Sequence, residues 1–573
     1  MYKKLFLTVA LVVACIQSNA QLLIHEYKPV GEANPISPCV FCADPTAIDY
    51  NGRLYVYGTN DTQQYLKNGK TGGNGYGDIR SLVIFSTEDM VNWTFHGTID
   101  VGKLCSSWGW RFAASWAPSA VWRTNAEGED EFFLYFANSG GSIGVLKASS
   151  PTGPWISPLT KPMIDGDTPG VKPCNWIFDP GAVVDENGTG WIAFGGGDPQ
   201  PTGSSLWPGN SRIAKLNASM TGLDGSAVNM PAPYLFEASE LNIIGGRFVY
   251  TYNTSWSDRN DWGSFTGNNG QPAPSTCSMC YMVSDTPLVP DSWDYRGEYV
   301  PNEGNFNMGW GNNHTHLHKF KGKYYLFYHS TLLEQSMKNE GAMDSEASGY
   351  RSIGVDLATV NENTQTINKM TLTRNGVEAI GNINPYELQE AETMATCGGI
   401  SYEDFTNISK NTRISTLGND ASRNMQVKMQ AGAWILLRKV EFGTNGASKI
   451  MVRAKGEGTI EVRIGRKGAS PIATFDISSS EMSDFTVDVD ANKLHGQKNV
   501  YIAVTSGSDV YLDAWQATEA LPDAIDAISG SKIVKSESYD LSGRRLPDAH
   551  QHRGIVIEQY TDEKGVKHSR KRR

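Results

Sequence analysis

CNWIFDPGAVVDENGTGWIAFGGG, residues 174–197, reads as one complete β-hairpin. Asp179 stands before Pro180 at the head of a strand, Ala182-Val183-Val184 continues it, and Trp191-Ile192-Ala193-Phe194 returns. Asn187-Gly188 supplies the two left-handed positions of a tight hairpin turn. The unit decides the fold because it recurs, at a spacing of roughly 60–75 residues. PCVFCADPTAIDYNGRLYVYGTND (38–61) places Asp44 before Pro45 and turns at Asn51-Gly52. RFAASWAPSAVW (111–122) with EFFLYFANS (131–139) has Ala117-Pro118 there and a longer turn. YLFEASELNIIGGRFVYTYNTSW (234–256) has Glu237 and turns at Gly245-Gly246; WGNNHTHLHKFKGKYYLFYHS (310–330) has His314 and turns at Lys321-Gly322.

Five such units with aromatic-rich return strands predict an all-β chain that opens with a five-bladed β-propeller over residues 25–375. Inner strands of a propeller run side by side around one axis, so equivalently placed residues converge. Asp44, Asp179, Glu237 and His314 are therefore expected in one central pocket. Singly, Asp-Pro and Asp-Glu-Asn-Gly are ordinary surface-turn chemistry; carboxylates at matching places of three repeats argue for a site.

At 573 residues the chain exceeds one ordinary core and needs more than one domain. A net charge of −11 argues against nucleic acid or an anionic membrane as partner. Lys3-Lys4, the apolar run Leu5 to Ala14 and Ser18-Asn19-Ala20 read as a signal peptide, residues 1–20, cleaved after Ala20. Val12-Val13-Ala14-Cys15 also resembles a lipoprotein box, with Cys15 as the alternative processing site. Either route gives a secreted, periplasmic or cell-surface protein, and the run is too short to span a membrane. Of eight cysteines one is Cys15, which leaves an odd seven. Cys39-x-x-Cys42 and Cys277-x-x-Cys280 favour local disulfides or buried thiols over structural zinc, since the pairs lie far apart.

Arg374 to Glu378 and Asn384-Pro385-Tyr386 mark a boundary. Beyond it, 387–517 carries short alternating strands such as Thr459 to Ile464 and Val500 to Val504, the pattern of a β-sandwich of jelly-roll type and binding-module size. Residues 518–573 comprise a linker and a tail whose Tyr539-Asp540-Leu541-Ser542-Gly543-Arg544-Arg545 and final basic strand resemble the C-terminal sorting domains of type IX secretion substrates.

Carboxylates gathered with a His and an Arg in an aromatic-rich protein suit glycoside hydrolysis, which needs a protonated acid for the leaving oxygen and an ionised base for water. The stretches Cys42 to Thr59, Phe178 to Asp185, Phe236 to Leu241 and Gly311 to Leu317 resemble glycoside hydrolase family 43, in the family's order. That resemblance implies Asp44 as general base, Glu237 as general acid and Asp179 as the residue that raises and orients the acid. It also implies inversion, with base and acid carboxyls roughly 6.5–9.5 Å apart. Glu240 competes for the acid's role, but Phe236-Glu237-Ala238 matches the motif and Glu240 falls an odd step further along the strand. Arg351 resembles the family's substrate-binding Arg, with a salt bridge between blades as its alternative. His314 matches a channel His that often stands beside calcium, or is a hydrogen-bonded core residue. Trp116 and Trp256 are candidates for stacking on sugar. No cofactor is expected for catalysis; structural calcium is compatible with the resemblance.

From Gln389-Glu390-Ala391-Glu392-Thr393 to Leu512-Asp513-Ala514-Trp515 the sandwich resembles carbohydrate-binding module family 6, which implies a calcium held by Glu390, Glu392 and Asp513. Val427 stands where relatives often carry a stacking aromatic, and Ser506 to Asp509 also lacks one, so glycan binding by this module is open. Together these features imply an exported, inverting α-L-arabinofuranosidase acting on arabinoxylan. A β-1,4-xylosidase of the same fold is the nearest rival, and a non-catalytic surface glycan-binding protein the rival of another class.

Overall fold

The computed structural model describes residues 24–197, 206, 209–257, 261–262, 266–407, 425–520, 533–547, 555–562, 565 and 567–572. The signal-peptide segment with Cys15 and Ala20, and most of the linker after 520, lie outside these residues. The five repeats form five antiparallel sheets. Blade I holds β1 (Ala43–Tyr50), β2 (Arg53–Thr59), β3 (Leu82–Thr87) and β4 (Trp93–Ile99). Blade II holds β5 (Trp116–Thr124), β6 (Asp130–Asn138) and β7 (Ser142–Ala148). Blade III holds β8 (Gly181–Val184), β9 (Gly190–Gly195), β10 (Ser211–Lys215) and β11 (Val228–Asn229). Blade IV holds β12 (Leu235–Ile244), β13 (Arg247–Thr254), β14 (Met279–Ser284) and β15 (Asp294–Val300); blade V holds β16 (Thr315–Phe320), β17 (Lys323–Ser330) and β18 (Ser352–Ala358). Strands β1, β5, β8, β12 and β16 touch in succession, and β16 meets β1, so the ring closes as predicted.

The chain's beginning fastens that closure. Ile36 N donates to Ile353 O at 2.8 Å and Cys42 N to Arg351 O at 2.9 Å. Further along β18, Asn34 clamps one residue, its Nδ2 donating to Val355 O at 3.1 Å and its Oδ1 accepting from Val355 N at 2.8 Å. The start of the chain thus edges the last blade and leaves no open strand there.

Asn51-Gly52, Gly245-Gly246 and Lys321-Gly322 are two-residue turns with φ positive at both positions. The turn at 187–188 differs from its expected form. Val184 pairs with Gly190, so the loop is 185–189, and of the Asn-Gly pair only Gly188 is left-handed, at φ 76°. Asp185 Oδ1 accepts from Asn187 N and Thr189 N, both at 2.9 Å, and so reinforces the backbone bonds Gly188 N to Asp185 O and Asp185 N to Thr189 O that close the loop. Asn125 does the same in the 125–129 loop of blade II.

The heads of the inner strands carry a second repeat that the sequence does not announce. Asp44, Ala117, Asp179 and Ala238 are all left-handed, at φ 50°, 40°, 47° and 59°. In β1, β5 and β12 these residues sit in bulges: Asp44-Pro45 stand opposite the single Gly58, and Ala238-Ser239 opposite Tyr252. A bulge re-aims its side chain, here toward the ring axis. By this register Ala238, not Glu237, is the counterpart of Asp44 and Asp179. Glu237 comes one residue earlier, where Trp116 stands in blade II.

In the sandwich, Ala447–Ile464 pairs along its length with Ala473–Asp488, while its first half pairs with Val510–Glu519 and its second with Gln497–Ser506. One long strand therefore joins the two halves of a single nine-stranded sheet. Val427, paired with Phe405 and Leu512, is wholly buried in the core, so that position presents nothing to a sugar. The sandwich is welded to blade I: Thr393–Met394 adds a fifth strand beside β4, and Asn92 exchanges hydrogen bonds of 2.8 and 2.9 Å with the Arg438 backbone. The tail forms a four-stranded sheet of Ile533–Asp540, Arg545–Leu546, Val556–Asp562 and Lys567–Arg572. Among the described residues no helix is long and apolar enough to cross a membrane.

Two inner strands approach closely at Gly181, where an added Cβ would come 2.4 Å from Glu240 Cα. Gly181→Ala must push β8 away from β12, at a cost of about 1–3 kcal/mol by overpacking. Thermal unfolding should show the variant melting several degrees lower, with activity falling as Asp179 and Glu237 separate; an unchanged melt would contradict this packing.

Candidate active site

The heads of three inner strands bring Asp44, Asp179 and Glu237 together, close enough that Asp44 acts on the protonation of Asp179 and both act on that of Glu237. Asp44, only 4% exposed, is fully partnered. Its Oδ2 accepts from Thr59 Oγ1 at 2.7 Å, and its Oδ1 accepts from Arg351 Nη1 at 2.8 Å. Asp44 N donates to His329 Nδ1 at 3.1 Å, and His329 Nε2 donates to Asn312 O at 2.6 Å. Burial would raise the pKa of Asp44, but Arg351, His329 and His314 outweigh it and hold the carboxyl well below the usual range.

Asp179 is shifted the other way. Burial and the nearby Asp44 charge push it up to about 7, against a 2.8 Å hydrogen bond from Ala238 N to its Oδ2. Glu237 is raised well above its ordinary value, first by burial and then by Asp179 and Asp44, and its Oε1 is buried with no hydrogen-bond partner among the described residues. One pocket thus holds an ionised carboxylate and a protonated carboxylic acid, the pairing that acid–base chemistry needs.

Glu240 is set apart from this pair. It is 1% exposed and bonded to His316 Nδ1 at 2.9 Å, so its carboxylate is already occupied. His314 lies 3.7 Å from Asp44 Oδ1, and burial lowers its pKa to about 4, leaving a neutral ring. Arg351 directs Nε and Nη2 to the two oxygens of Asp61 at 2.9 and 3.0 Å, and Nη1 to Asp44. It therefore forms the tie between blades that the sequence left as its alternative. Its Cζ lies 4.8 Å above the Tyr76 ring, and Trp116, half-buried, donates Nε1 to Tyr76 O at 3.1 Å, which places Trp116 beside the cluster. Trp256 stands beyond the end of β13, 43% exposed.

Several members were missed in the sequence. Asp61, Thr59 and His329 hold Asp44 or its Arg, and only the Thr-Asn-Asp run closing the first repeat hinted at two of them. Glu303 is 2% exposed, its Oε2 has no hydrogen-bond partner among the described residues, and burial, reinforced by Glu237, pushes its pKa well up. Asn313, next to His314, has both Oδ1 and Nδ2 buried and without a hydrogen-bond partner among the described residues. Such groups are costly unless something fills their hydrogen bonds.

Among the described residues no three His, Cys, Asp or Glu side chains form a group suited to a metal ion. In the sandwich, Gln389 and Glu390 pair with Trp515 and Ala514, and Ala391 N donates to Asp513 O at 2.9 Å, so the opening and closing strands lie together. Burial first, then Glu390 and Asp513, raise the Glu392 carboxyl well above its ordinary value. Among the described residues Glu392 Oε2 and Asp513 Oδ1 are buried without hydrogen-bond partners, two acceptors of the kind a hard cation takes, although the three carboxyls do not stand as a ready metal group.

Comparisons with known proteins agree with this construction. The chain is 34% identical over 531 residues to an arabinoxylan arabinofuranohydrolase of Paenibacillus polymyxa, covering 90% of this chain and 78% of that one. It is 34% identical over 513 residues to an arabinoxylan arabinofuranohydrolase of Bacillus subtilis (strain 168), covering 86% of this chain and 93% of the relative. A solved structure of a family 43 arabinoxylan arabinofuranohydrolase from Bacillus subtilis, in complex with cellotetraose, superposes with a TM-score of 0.75 at 32% identity, over 86% of this chain and 99% of that one. Residues 390–519 match carbohydrate binding module (family 6). Residues 33–342, which contain Asp44, Asp179 and Glu237, match glycosyl hydrolases family 43, and the chain is a glycosidase belonging to that family.

Proposed function

We propose that this glycosidase removes terminal α-L-arabinofuranosyl branches from arabinoxylan with inversion at the anomeric carbon. The observation that carries the chemistry is the opposite protonation of two carboxyls in one pocket, Asp44 held ionised and Glu237 held protonated. The substrate follows from the arabinoxylan-acting relatives that match along most of their length. Asp44 takes a proton from water as that water attacks the anomeric carbon, while Glu237 gives its proton to the departing xylan oxygen. Asp179 keeps the acid protonated by like-charge proximity, and its bond to Ala238 N fixes the backbone next to Glu237. Arg351 is a positioning residue that holds Asp44 ionised and aimed, with its remaining N–H capacity available to a sugar hydroxyl. The unmet hydrogen bonds of Glu303 and Asn313 suit hydroxyls of the bound pentose, Trp116 suits its ring face, and exposed Trp256 the xylan chain. A β-xylosidase shares the mechanism and would differ in the sugar released.

Two further parts of the reading extend beyond catalysis. We infer a structural calcium bound by Glu390, Glu392 and Asp513, and export directed by residues 1–20. Chelation should lower the unfolding temperature of the sandwich while leaving turnover of small aryl arabinosides unchanged; no shift would remove the ion from this site.

Glu237→Gln should cut release of arabinose from arabinoxylan by about 10²–10⁴-fold while sparing aryl arabinosides with good leaving groups far more. Asp44→Asn should abolish turnover of both. Equal losses on both substrates for Glu237→Gln would remove it as the acid, and release of xylose in place of arabinose would make the protein a xylosidase. NMR of the first-formed sugar should show the β-anomer; retention would sink the mechanism.

Activity should fall as pH rises through the raised pKa of Glu237 and persist in acid because Asp44 stays ionised. Asp179→Asn removes a like charge from Glu237 and should move the alkaline limb of the rate profile to lower pH. Asp179 is raised, so its contribution to stability is complete below the ordinary value of about 3.9 and is lost as pH climbs toward 7. The variant's melting temperature should accordingly vary less across that window than the parent's.

A further inference from the structure

Among the described residues three tryptophans are exposed, Trp110 at 87%, Trp256 at 43% and Trp310 at 63%. All three stand on loops that leave the same face of the propeller, the one bearing Asp44, Asp179 and Glu237. Trp110 lies between the end of β4, where Ile99 meets Leu82, and the head of β5. Trp256 follows β13, whose Thr254 pairs with Leu235 at the head of β12. Trp310 lies between Val300, which pairs with Met279, and the head of β16. Indoles left open on one face mark a surface for contact.

Two of them are fastened to the side of the pocket that holds Glu237. Glu237 stands opposite Asn253 in the β12–β13 pair, and Asn253 Nδ2 donates to Cys277 Sγ at 3.4 Å. Cys277 is a free, buried thiol and not half of a Cys277–Cys280 pair. Its Sγ donates to Gly311 O at 3.5 Å and its N to Ser255 O at 3.0 Å, so one residue ties together the loops that carry Trp310 and Trp256. Asn302 Nδ2 braces the junction, donating to Cys277 O at 3.2 Å and to Gly311 O at 2.8 Å. The Trp310 ring lies against Gly304, where an added Cβ would come 2.4 Å from it, and leaves the rest of its surface to solvent. Glu303 Oε2 and both polar atoms of Asn313, buried without a hydrogen-bond partner among the described residues, belong to this same loop. Trp110 stands across the ring, between blades I and II.

An acid that protonates the departing oxygen has the leaving group on its own side. In the function proposed above, on which this inference rests, that group is the xylan main chain. We propose that Trp310, with Trp256 on the adjoining loop, is the platform on which the branch-bearing xylosyl residue lies, and that it sets the choice of leaving group. A xylopyranosyl ring has broad C–H faces that cover an indole, whereas the arabinofuranosyl leaving group of arabinan offers a smaller, puckered face. The platform therefore favours arabinoxylan over arabinan. Contact made there is remote from the bond that breaks, and it holds the branch in line with Asp44 and Glu237.

The test uses the full chain. Trp310→Ala should lower kcat/KM on arabinoxylan by about tenfold, chiefly through KM, and on an aryl arabinoside, which brings no main chain, by far less. The preference for arabinoxylan over arabinan should shrink with it. Trp310→Phe should recover most of the loss, and Trp110→Ala should leave the ratio of arabinoxylan to aryl arabinoside where it is. Xylohexaose, which has no branch, should inhibit aryl arabinoside hydrolysis by the parent, and about tenfold more weakly with Trp310→Ala. That inhibition reports on the propeller face alone, whatever the sandwich binds. Trp256→Ala should show the same pattern, which keeps the test decisive where Trp310→Ala folds poorly. Equal falls on both substrates, or xylohexaose that spares the parent or inhibits parent and variant alike, overturn the platform and leave arabinose release by the parent intact. Xylose cut from xylohexaose would instead overturn the arabinofuranosidase reading, and the platform with it.

Discussion

The guanidinium of Arg351 is the point on which the propeller turns. It stands just before β18 in the last blade, takes both oxygens of Asp61 after β2, and reaches one oxygen of Asp44 in β1. A buried ion cluster of this kind contributes little net stability unless every lone pair is met, and breaking it is costly. Here Thr59 and the Asp44 backbone bond to His329 meet the rest. Two carboxylates against one guanidinium leave a surplus of negative charge. Burial first, and then the charge of Asp44, pushes the remaining carboxyls at the axis, Asp179 and Glu237, toward protonation, more than Arg351 holds them down. Closure of the ring and the polarity of the site are one electrostatic arrangement.

Much of this was legible in the chain and some was not, for definable reasons. Hairpins are local, so alternation and turn residues disclose them; with five copies the architecture followed, and with it the convergence of Asp44, Asp179 and Glu237. The bulges were not legible, because a left-handed Asp before Pro leaves no mark in hydrophobic alternation. As a result Glu237 was matched with Asp44 although its bulge counterpart is Ala238. The 185–189 loop was misread as a two-residue turn because Asn-Gly is a strong signal and the competing carboxylate of Asp185 is not. Asp61, His329 and Glu303 act on the site across long stretches of sequence, and one sequence gives no means of placing such partners.

The sandwich illustrates how a module can be appended and then absorbed. Val427 is core, and Lys428 and Lys455 lie over Tyr511, which occupies an aromatic face with the protein's own cations. Thr393 and Met394 meanwhile extend blade I, and Phe95 of the propeller packs against Phe405 of the sandwich with ring centroids 5.1 Å apart. The apolar cluster has no break at the boundary. The second domain thus serves as an outer layer of the first, whatever affinity for glycan it keeps.

The strand-edge contact of residues 34–42 with β18 has a bearing on the order in which the molecule can be made. The residues synthesised early find their partners only after Ile353 and Val355 exist, some three hundred positions later. Contacts of such sequence separation form slowly, because the entropy of closing the chain must be met before they return anything. A nascent chain can build its hairpins one after another, yet the strand that carries Asp44 stays without its final neighbour until the last blade is complete. Catalytic competence arrives all at once, when the last blade closes the ring.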